Sequence, residues 1–424
     1  MSEPSPPCAD AALSAPRPRP PAPTHPDLTP WWQDDRTLRR FASQLLAAEL
    51  TGLRPGRPSD LPAPPWPDAL RLDDQGLGVD SLDRMHLAAA LADALDLPLS
   101  RRQAALWAHT GFGDWLAACR QGLPDRAQVR FRTSGSTGLG RSCPHALSGL
   151  EEEAAFLASL FPGRRRVLAA VPAHHIYGFL FTVLLPRALG QVPVEDLGTP
   201  AGPADGWRSG DLVIGFPDFW RALVRQGPQV PPDVQGCTST APCPAELAIA
   251  VAGRGIGLTQ VFGSTETAGL GWRQDPDAPW RWFPWWQRHG ADQVVRRLPD
   301  GTRIPARLPD LLEPAGAGRF RPAGRRDAQV QVGGINVSPA LVRTCLLEHP
   351  LVQDAAVRLM RPAEGSRLKA YIVPRPAAAS VHTWQEDLRR WIDARLPPAQ
   401  RPRALRFGPH LPVGAMGKAA DWDA

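Results

Sequence analysis

Lysine is nearly missing from this chain. Of its 48 cationic side chains only two, Lys369 and Lys418, are lysine, and the rest are arginine. Where either cation would serve, the chain uses arginine. A retained lysine therefore marks a position suited to a compact, flexible ammonium rather than a planar fork. No apolar run reaches the roughly 18 residues of a membrane-crossing helix, and the longest candidate, Ile176 to Pro186, reads as a buried core segment. The N-terminus has no basic stretch followed by an apolar one, so no secretory signal is expected. The six cysteines form no CxxC pair, which predicts reduced thiols in a cytoplasmic protein. The net charge of +6 is spread along the chain, with no dense basic run interleaved with aromatics, and this disfavours a nucleic-acid binder. A GxxxxGK[ST] loop is absent, which excludes a Walker A site. No internal repeat is visible.

The chain that remains is of ordinary globular composition, 43% hydrophobic and 21% charged over 424 residues, long enough for two to three domains. Residues 1–30 hold ten prolines and few bulky apolar groups, and read as a disordered, partly polyproline tail. Residues 31–124 read as helical: a helix over 36–50, a Pro-rich loop over 53–68, a helix starting at Asp80 or Ser81 and ending before Pro98, and a short helix over 113–121. From Val129 short β-type runs alternate with helical patterns, which predicts an α/β sheet domain over 125–325. A Pro/Gly-rich passage, 305–324, leads into a smaller α+β unit over 326–424.

The strongest chemical signal is RTSGSTGLGR, Arg132 to Arg141, directly after a predicted strand. Such a run offers backbone N–H groups and hydroxyls to phosphate oxygens, and glycine lets the backbone come close. The alternative is a flexible Ser/Gly linker, which rarely follows a strand so directly.

TSGSTG (133–138) resembles the phosphate loop of the adenylate-forming superfamily, which includes acyl- and aryl-CoA synthetases and peptide-synthetase adenylation domains. Further segments match in order. VPAHHIYGF (171–179) resembles the motif beside the acyl pocket, TSTAPCPAEL (238–247) the adenine-side loop, and VFGSTETAG (261–269) the YGxTE motif. GRRDAQVQVGGINVSP (324–339) resembles the hinge, and PVGAMGK (412–418) the C-terminal lysine motif. The resemblance implies an α/β fold, with a large adenylate-forming domain joined by a hinge to a small α+β C-terminal domain. A helical, acyl-carrier-like segment precedes both.

It also implies roles. Thr133, Ser134, Gly135, Ser136, Thr137 and Gly138 would cradle the β- and γ-phosphates of ATP, with Arg141 in place of the loop's usual lysine. Thr240, Ala241, Phe262 and Gly263 would line the nucleotide, and Thr265 would meet the α-phosphate. Glu266 would hold Mg²⁺, a hard cation that prefers carboxylate oxygen; a helix-start carboxylate is its plain alternative. Asp310 and Arg325 would bind the ribose, although Leu308 and Pro309 replace the usual Thr-Gly and a solvated loop acid is the other reading of Asp310. Lys418 would bridge the substrate carboxylate and the α-phosphate, its alternative being a surface lysine. Asp327 would be the hinge, and Gly333 and Gly334 would let a pantetheine arm pass the backbone. Gln331 and Asn336 replace the usual Lys and Arg, so the thiol-transfer half-reaction departs from the family more than adenylation does.

His174, His175, Tyr177, Phe181, Phe216 and Ser239 are the expected acyl-pocket residues, suited to a flat ring with a polar substituent. The paired histidines lack the further ligands of a metal site. The wording of 172–190 resembles the short ligases of xanthomonadin and aryl polyene pigment clusters, which implies a hydroxybenzoate- or cinnamate-type acid passed to an acyl carrier protein. GLGVDSLDRMHLAAAL resembles the DSL motif of carrier domains, where Ser81 would carry phosphopantetheine; otherwise Asp80 and Ser81 cap a helix. The Trp-rich stretch 280–287 reads as packing. The expected function is ATP- and Mg²⁺-dependent ligation of an aromatic carboxylic acid to a carrier-protein or CoA thiol. The rivals are a synthetase for another small acid and a non-catalytic nucleotide- or acyl-binding relic.

Overall fold

The computed structural model describes residues 29–54, 61–97, 106–123, 128–133, 141–290, 292–325, 329–361, 363–376, 383–412 and 421–424. Its framework is a nine-stranded mixed sheet. In spatial order the strands are Asp310–Pro314, Arg319–Arg325, Trp280–Trp282, Ala268–Arg273, Ile256–Ser264, Val234–Thr238, Asp211–Gly215, Arg166–Ala169 and Val194–Asp196. Pairing is parallel from Ile256–Ser264 through to Val194–Asp196 and antiparallel on the other side. The parallel strands RVLA and DLVIG are buried at every position, because helices and loops cover both faces.

The Pro/Gly-rich passage 305–324 is more regular than the sequence suggested. It supplies part of Arg303–Arg307, edge strand of a separate three-stranded sheet, and both strands at one end of the large sheet. Pro305 and Pro314 lie on edge strands, where a missing N–H costs no ladder bond.

The N-terminal region forms helices α1 (Asp35–Leu53), α2 (Ser81–Ala94) and α3 (Phe112–Gly122). Asp34 and Asp80 cap the first two, Asp80 accepting from the Asp83 N–H at 2.8 Å. These helices share one hydrophobic core with the large sheet. Trp31 meets Phe41 and Phe179 edge-on at 5.6 and 5.0 Å, and Phe131 meets Phe179 at 5.3 Å. Buried Arg40 clasps Asp196 on the sheet's last strand. Burying each such aromatic contributes about 1.5–3 kcal/mol, so the segment covers one edge of the sheet rather than standing beside it.

The Trp-rich stretch is core, as its composition suggested. Trp280, Phe283, Trp285 and Trp286 are buried, with Phe283 and Trp285 stacked at 5.0 Å. The small C-terminal unit has a core of its own. It comprises the hairpin Val330–Val332 and Ile335–Val337, the three strands Val352–Leu359, Leu368–Pro374 and Ala404–Phe407, and helices Pro339–Leu347 and Trp384–Arg395. The five described cysteines are free thiols. Among the described residues no helix is long and apolar enough to cross a membrane.

Candidate active site

The predicted site residues gather at the carboxyl ends of adjacent parallel strands, where ligands bind in open α/β sheets. Strand Arg166–Ala169 leads to His174 and His175, Asp211–Gly215 to Phe216, Val234–Thr238 to Ser239, Thr240 and Ala241, and Ile256–Ser264 to Thr265 and Glu266. On the acyl side, the Tyr177 hydroxyl donates to the Gly215 carbonyl at 3.1 Å, and its ring packs on Phe181 at 4.8 Å. The His174 and His175 rings lie 4.3 Å apart. Burial, with the neighbouring imidazole, holds His174 down at about 3, so it is neutral at pH 7, and its Nδ1 is buried without a partner. Gln44 of α1 accepts the Ala173 N–H at 2.6 Å, so the N-terminal helix buttresses the histidine loop.

On the phosphate side, Gln128–Arg132 and Ser142–Ala146 form a hairpin whose last register pair is Arg132 with Ser142. The Thr133 N–H donates to the Arg141 carbonyl at 2.9 Å, and the Thr133 hydroxyl accepts the Arg141 N–H at 3.0 Å. Ser134, Gly135, Ser136, Thr137 and Gly138 lie outside the described residues, as do Lys418 and Asp327. Arg141, His145, Glu266, Thr267, Arg296 and Arg307 line a cleft of about 280 Å³ at the base of this hairpin. The Glu266 carboxylate faces that cleft with no hydrogen bond or ion pair to another described residue. A carboxylate with no partner among the described residues, in a cleft that Arg141 also lines, suits a hard cation carrying phosphate.

The turn that presents Glu266 is pinned by residues with no motif of their own. The Gly269 N–H donates to Glu153 Oε1 at 2.9 Å, Arg296 donates to Glu153 Oε2 at 3.0 Å, and the Trp286 indole donates to the Gly269 carbonyl at 2.7 Å. Burial pushes Glu153 up to about 7, against the pull of Arg296. His145 meets the Thr265 carbonyl at 2.7 Å. Gly263 is obligatory: a Cβ there would lie 2.0 Å from the Ala268 carbonyl oxygen.

Asp310 stands opposite Arg325 in strand register, joining the two expected ribose residues on neighbouring strands, while Phe262 packs on Trp280 and Phe320. The small unit brings its Gly333–Gly334 turn to the adenine-side loop. Gly334 has φ +81°, and a Cβ on it would sit 3.0 Å from Thr240 Oγ1. Thr240 itself holds φ +75°, a strained value for a β-branched residue. Gln331 Nε2 donates to Asn336 Oδ1 at 3.0 Å across the same hairpin, linking the two departures from the family motif, while Gln331 Oε1 is left buried without a partner among the described residues. Ser81 is exposed at the first turn of α2, and the cap there is made by Asp80. Ser81 therefore does not take the capping role left open for it.

Residues 342–418 match the family model of the AMP-binding enzyme C-terminal domain. Over 400 residues the chain is 37% identical to a 4-coumarate–CoA ligase of Rhodobacter capsulatus, covering 91% of this chain and all of that one. The chain belongs to the AMP-forming acid–CoA ligases. A second 4-coumarate–CoA ligase, from Halorhodospira halophila, is 35% identical over 349 residues, covering 82% of this chain and 89% of its own. Among solved structures, the o-succinylbenzoate CoA synthetase from Bacillus subtilis superposes with a TM-score of 0.58 at 17% identity, covering 89% of this chain and 91% of that one. The fold is thus the adenylate-forming one, a large N-terminal domain and a small C-terminal domain. The protein is an ATP-dependent acid–thiol ligase, and the family implies Mg²⁺.

Proposed function

We propose that this ligase activates a hydroxylated aromatic carboxylic acid and passes it to a pantetheine thiol, with CoA as the first acceptor. The observation that carries the reading is the acyl side of the site. A neutral, part-buried His174, its Nδ1 without a partner among the described residues, stands just before the helical segment that carries Tyr177 and Phe181. The buried Tyr177 and Phe181 rings form an aromatic floor behind His174, and the free imidazole nitrogen would give a ring hydroxyl its hydrogen-bond partner. The two relatives whose names specify 4-coumarate support the same chemistry.

In the first half-reaction a carboxylate oxygen attacks the α-phosphorus, a new P–O bond forms, and the bond to the β-phosphate breaks as pyrophosphate leaves. Two anions must meet, so fixed positive charge and oriented donors lower the barrier. Thr133 to Gly138 hold the β- and γ-phosphates, Arg141 adds charge, Thr265 meets the α-phosphate, and Lys418 bridges carboxylate and phosphate. Glu266 would hold Mg²⁺, which would supply charge neutralisation at the phosphates. Thr240, Ala241, Phe262 and Gly263 face the base, and Asp310 and Arg325 take the ribose hydroxyls. In the second half-reaction the pantetheine sulfur attacks the acyl carbonyl and AMP leaves. Gly333 and Gly334 line the arm's approach, and Asp327 is the pivot between the two halves.

A carrier-protein thiol is the second acceptor reading. It rests on the likeness of 172–190 to the ligases of aryl polyene and xanthomonadin clusters, and would place the protein in pigment biosynthesis with 3-hydroxybenzoate as a candidate acid. The exposed Ser81 is a proposed phosphopantetheine attachment site on the same grounds.

The test is ATP–pyrophosphate exchange across benzoate, 3- and 4-hydroxybenzoate, 4-coumarate and short alkyl acids, followed by product assay with CoA or a holo-carrier protein. Exchange driven by hydroxylated aromatic acids is expected. Absence of any acid-dependent exchange would reject the enzyme reading in favour of a binding relic. Intact-mass analysis after a phosphopantetheinyl transferase decides Ser81.

A further inference from the structure

The contact between His145 and Thr265 joins two elements that lie 120 residues apart in the chain. His145 sits in the return strand of the phosphate-loop hairpin, opposite Val129. Thr265 immediately precedes Glu266. A carbonyl oxygen only accepts, so Nε2 carries the proton and donates. The ring is buried, edge-on to Phe131 at 5.8 Å. Burial, together with the nearby Arg296 charge, holds the imidazole down at about 4, so it stays a neutral single donor at neutral pH.

The oxygen it holds belongs to the peptide whose nitrogen is Glu266's own. That peptide is planar, so fixing its carbonyl fixes the plane from which the Glu266 side chain departs. The far side of the turn is secured separately. Glu153 and Trp286 grip Gly269, and Thr267 closes on the Ser264 N–H at 3.2 Å. Of these pins, His145 is the one that reaches the turn from the hairpin bearing Thr133 and Arg141. Outer-shell partners of this kind typically carry 10- to 100-fold in metal affinity or activity.

We propose that His145 is a positioning residue for adenylation. Its Nε2–H locks the Thr265–Glu266 peptide to the hairpin strand that follows Arg141, so that the metal-holding carboxylate keeps a fixed place relative to Thr133 and Arg141. The inference rests on the reading of Glu266 as the Mg²⁺ carboxylate.

The experiment compares His145→Leu, which removes the donor at similar volume, with His145→Gln, which keeps a neutral N–H at similar reach. Mg·ATP binding is measured by calorimetry on the full chain, alongside the Mg²⁺ dependence of exchange, the KM for the aromatic acid and thermal unfolding. The Leu variant is expected to bind Mg·ATP about tenfold more weakly and to need more Mg²⁺ for exchange, with the acid KM unchanged. The Gln variant recovers most of both. A purely structural role would instead move the two variants and the acid KM together. Wild-type Mg·ATP binding in the Leu variant, or a Gln variant as weak as Leu, overturns the proposal. Should Leu not fold, His145→Asn, which ends short of the carbonyl, takes its place. Glu266→Gln run in parallel separates the two ideas. If Glu266→Gln keeps wild-type Mg²⁺ dependence, the metal reading itself fails. If it loses that dependence while the Leu variant keeps it, the His145 inference alone falls.

Discussion

The Lys369 ammonium lies 5.4 Å from the centre of the Trp422 ring, fully buried, and donates to Glu364 at 2.8 Å, to Asp421 and to the Trp422 carbonyl. One of the chain's two lysines is therefore spent on holding residues 421–424 against the small domain. Arg361 and Arg406 grip the same segment. Three acceptors converge on one small cation, which a planar guanidinium cannot satisfy in the same volume. Lys369→Met leaves Glu364 to Arg361 and the Ala424 N–H, and Asp421 to Arg358 and Arg361, but removes the buried cation that joins them, and should cost more than about 1 kcal/mol, read by denaturant unfolding. Lys369→Arg should also destabilise, in a chain that uses arginine almost everywhere else. A loss below about 1 kcal/mol for the Met variant would show that the clamp contributes little.

Gly334→Val should separate the half-reactions. The added side chain meets Thr240 and forces a β-branched residue to φ +81°, on the turn proposed to line the thiol's approach. Thioester formation from a supplied acyl-adenylate should slow by more than tenfold, about 1.4 kcal/mol or more in barrier, while pyrophosphate exchange stays within about twofold. Equal losses in both assays would count against the turn's place in the second step.

Lys418→Ala should abolish adenylation yet leave ATP binding largely intact, because the ammonium acts where carboxylate and α-phosphate meet rather than on the nucleotide alone. Exchange and equilibrium nucleotide binding measured on the same preparation decide it, and exchange at the wild-type rate would remove Lys418 from the mechanism.

Stability against pH should expose Glu153. Its folded pKa of about 7 stands above the ordinary 4.5, so its contribution grows as pH falls from 7 to 4.5 and is lost as pH rises through 7. His145, near 4 against 6.5, works the other way: its contribution is full above 6.5 and drains away toward 4. Between 4.5 and 6.5 the two oppose each other. Glu153→Gln removes the first, so its unfolding free energy should fall more steeply on acidification, by up to about 1.4 kcal/mol per pH unit. Parallel curves for the two proteins would show that Glu153 titrates alike in the folded and unfolded chain.

What could be read from the chain was whatever is local. Asp80 before an apolar run, the all-apolar strand DLVIG, and the glycine of VFGSTE announce themselves by type and spacing. Expectations for Ser134–Gly138, Asp327 and Lys418 rest on motif wording, since those positions lie outside the described residues. What the sequence hid was long-range. Nothing about His145, Glu153 or Gln44 distinguishes them until strands and helices over a hundred residues apart meet. The strands at 303–325 were hidden for another reason. Their prolines and glycines read as linker; Pro305 and Pro314 are tolerated because they lie on edge strands, and Pro322 because its strand pairs with Trp280–Trp282 only at Arg319 and Phe320.

The shared packing of Trp31, Phe41, Phe131 and Phe179 has a bearing on engineering. A chimera cut near residue 125 would tear this aromatic knot and strip the support that Gln44 gives to the histidine loop. A crossover between Arg325 and Val330 leaves both hydrophobic interiors whole, so a small domain can be exchanged there without cutting either core.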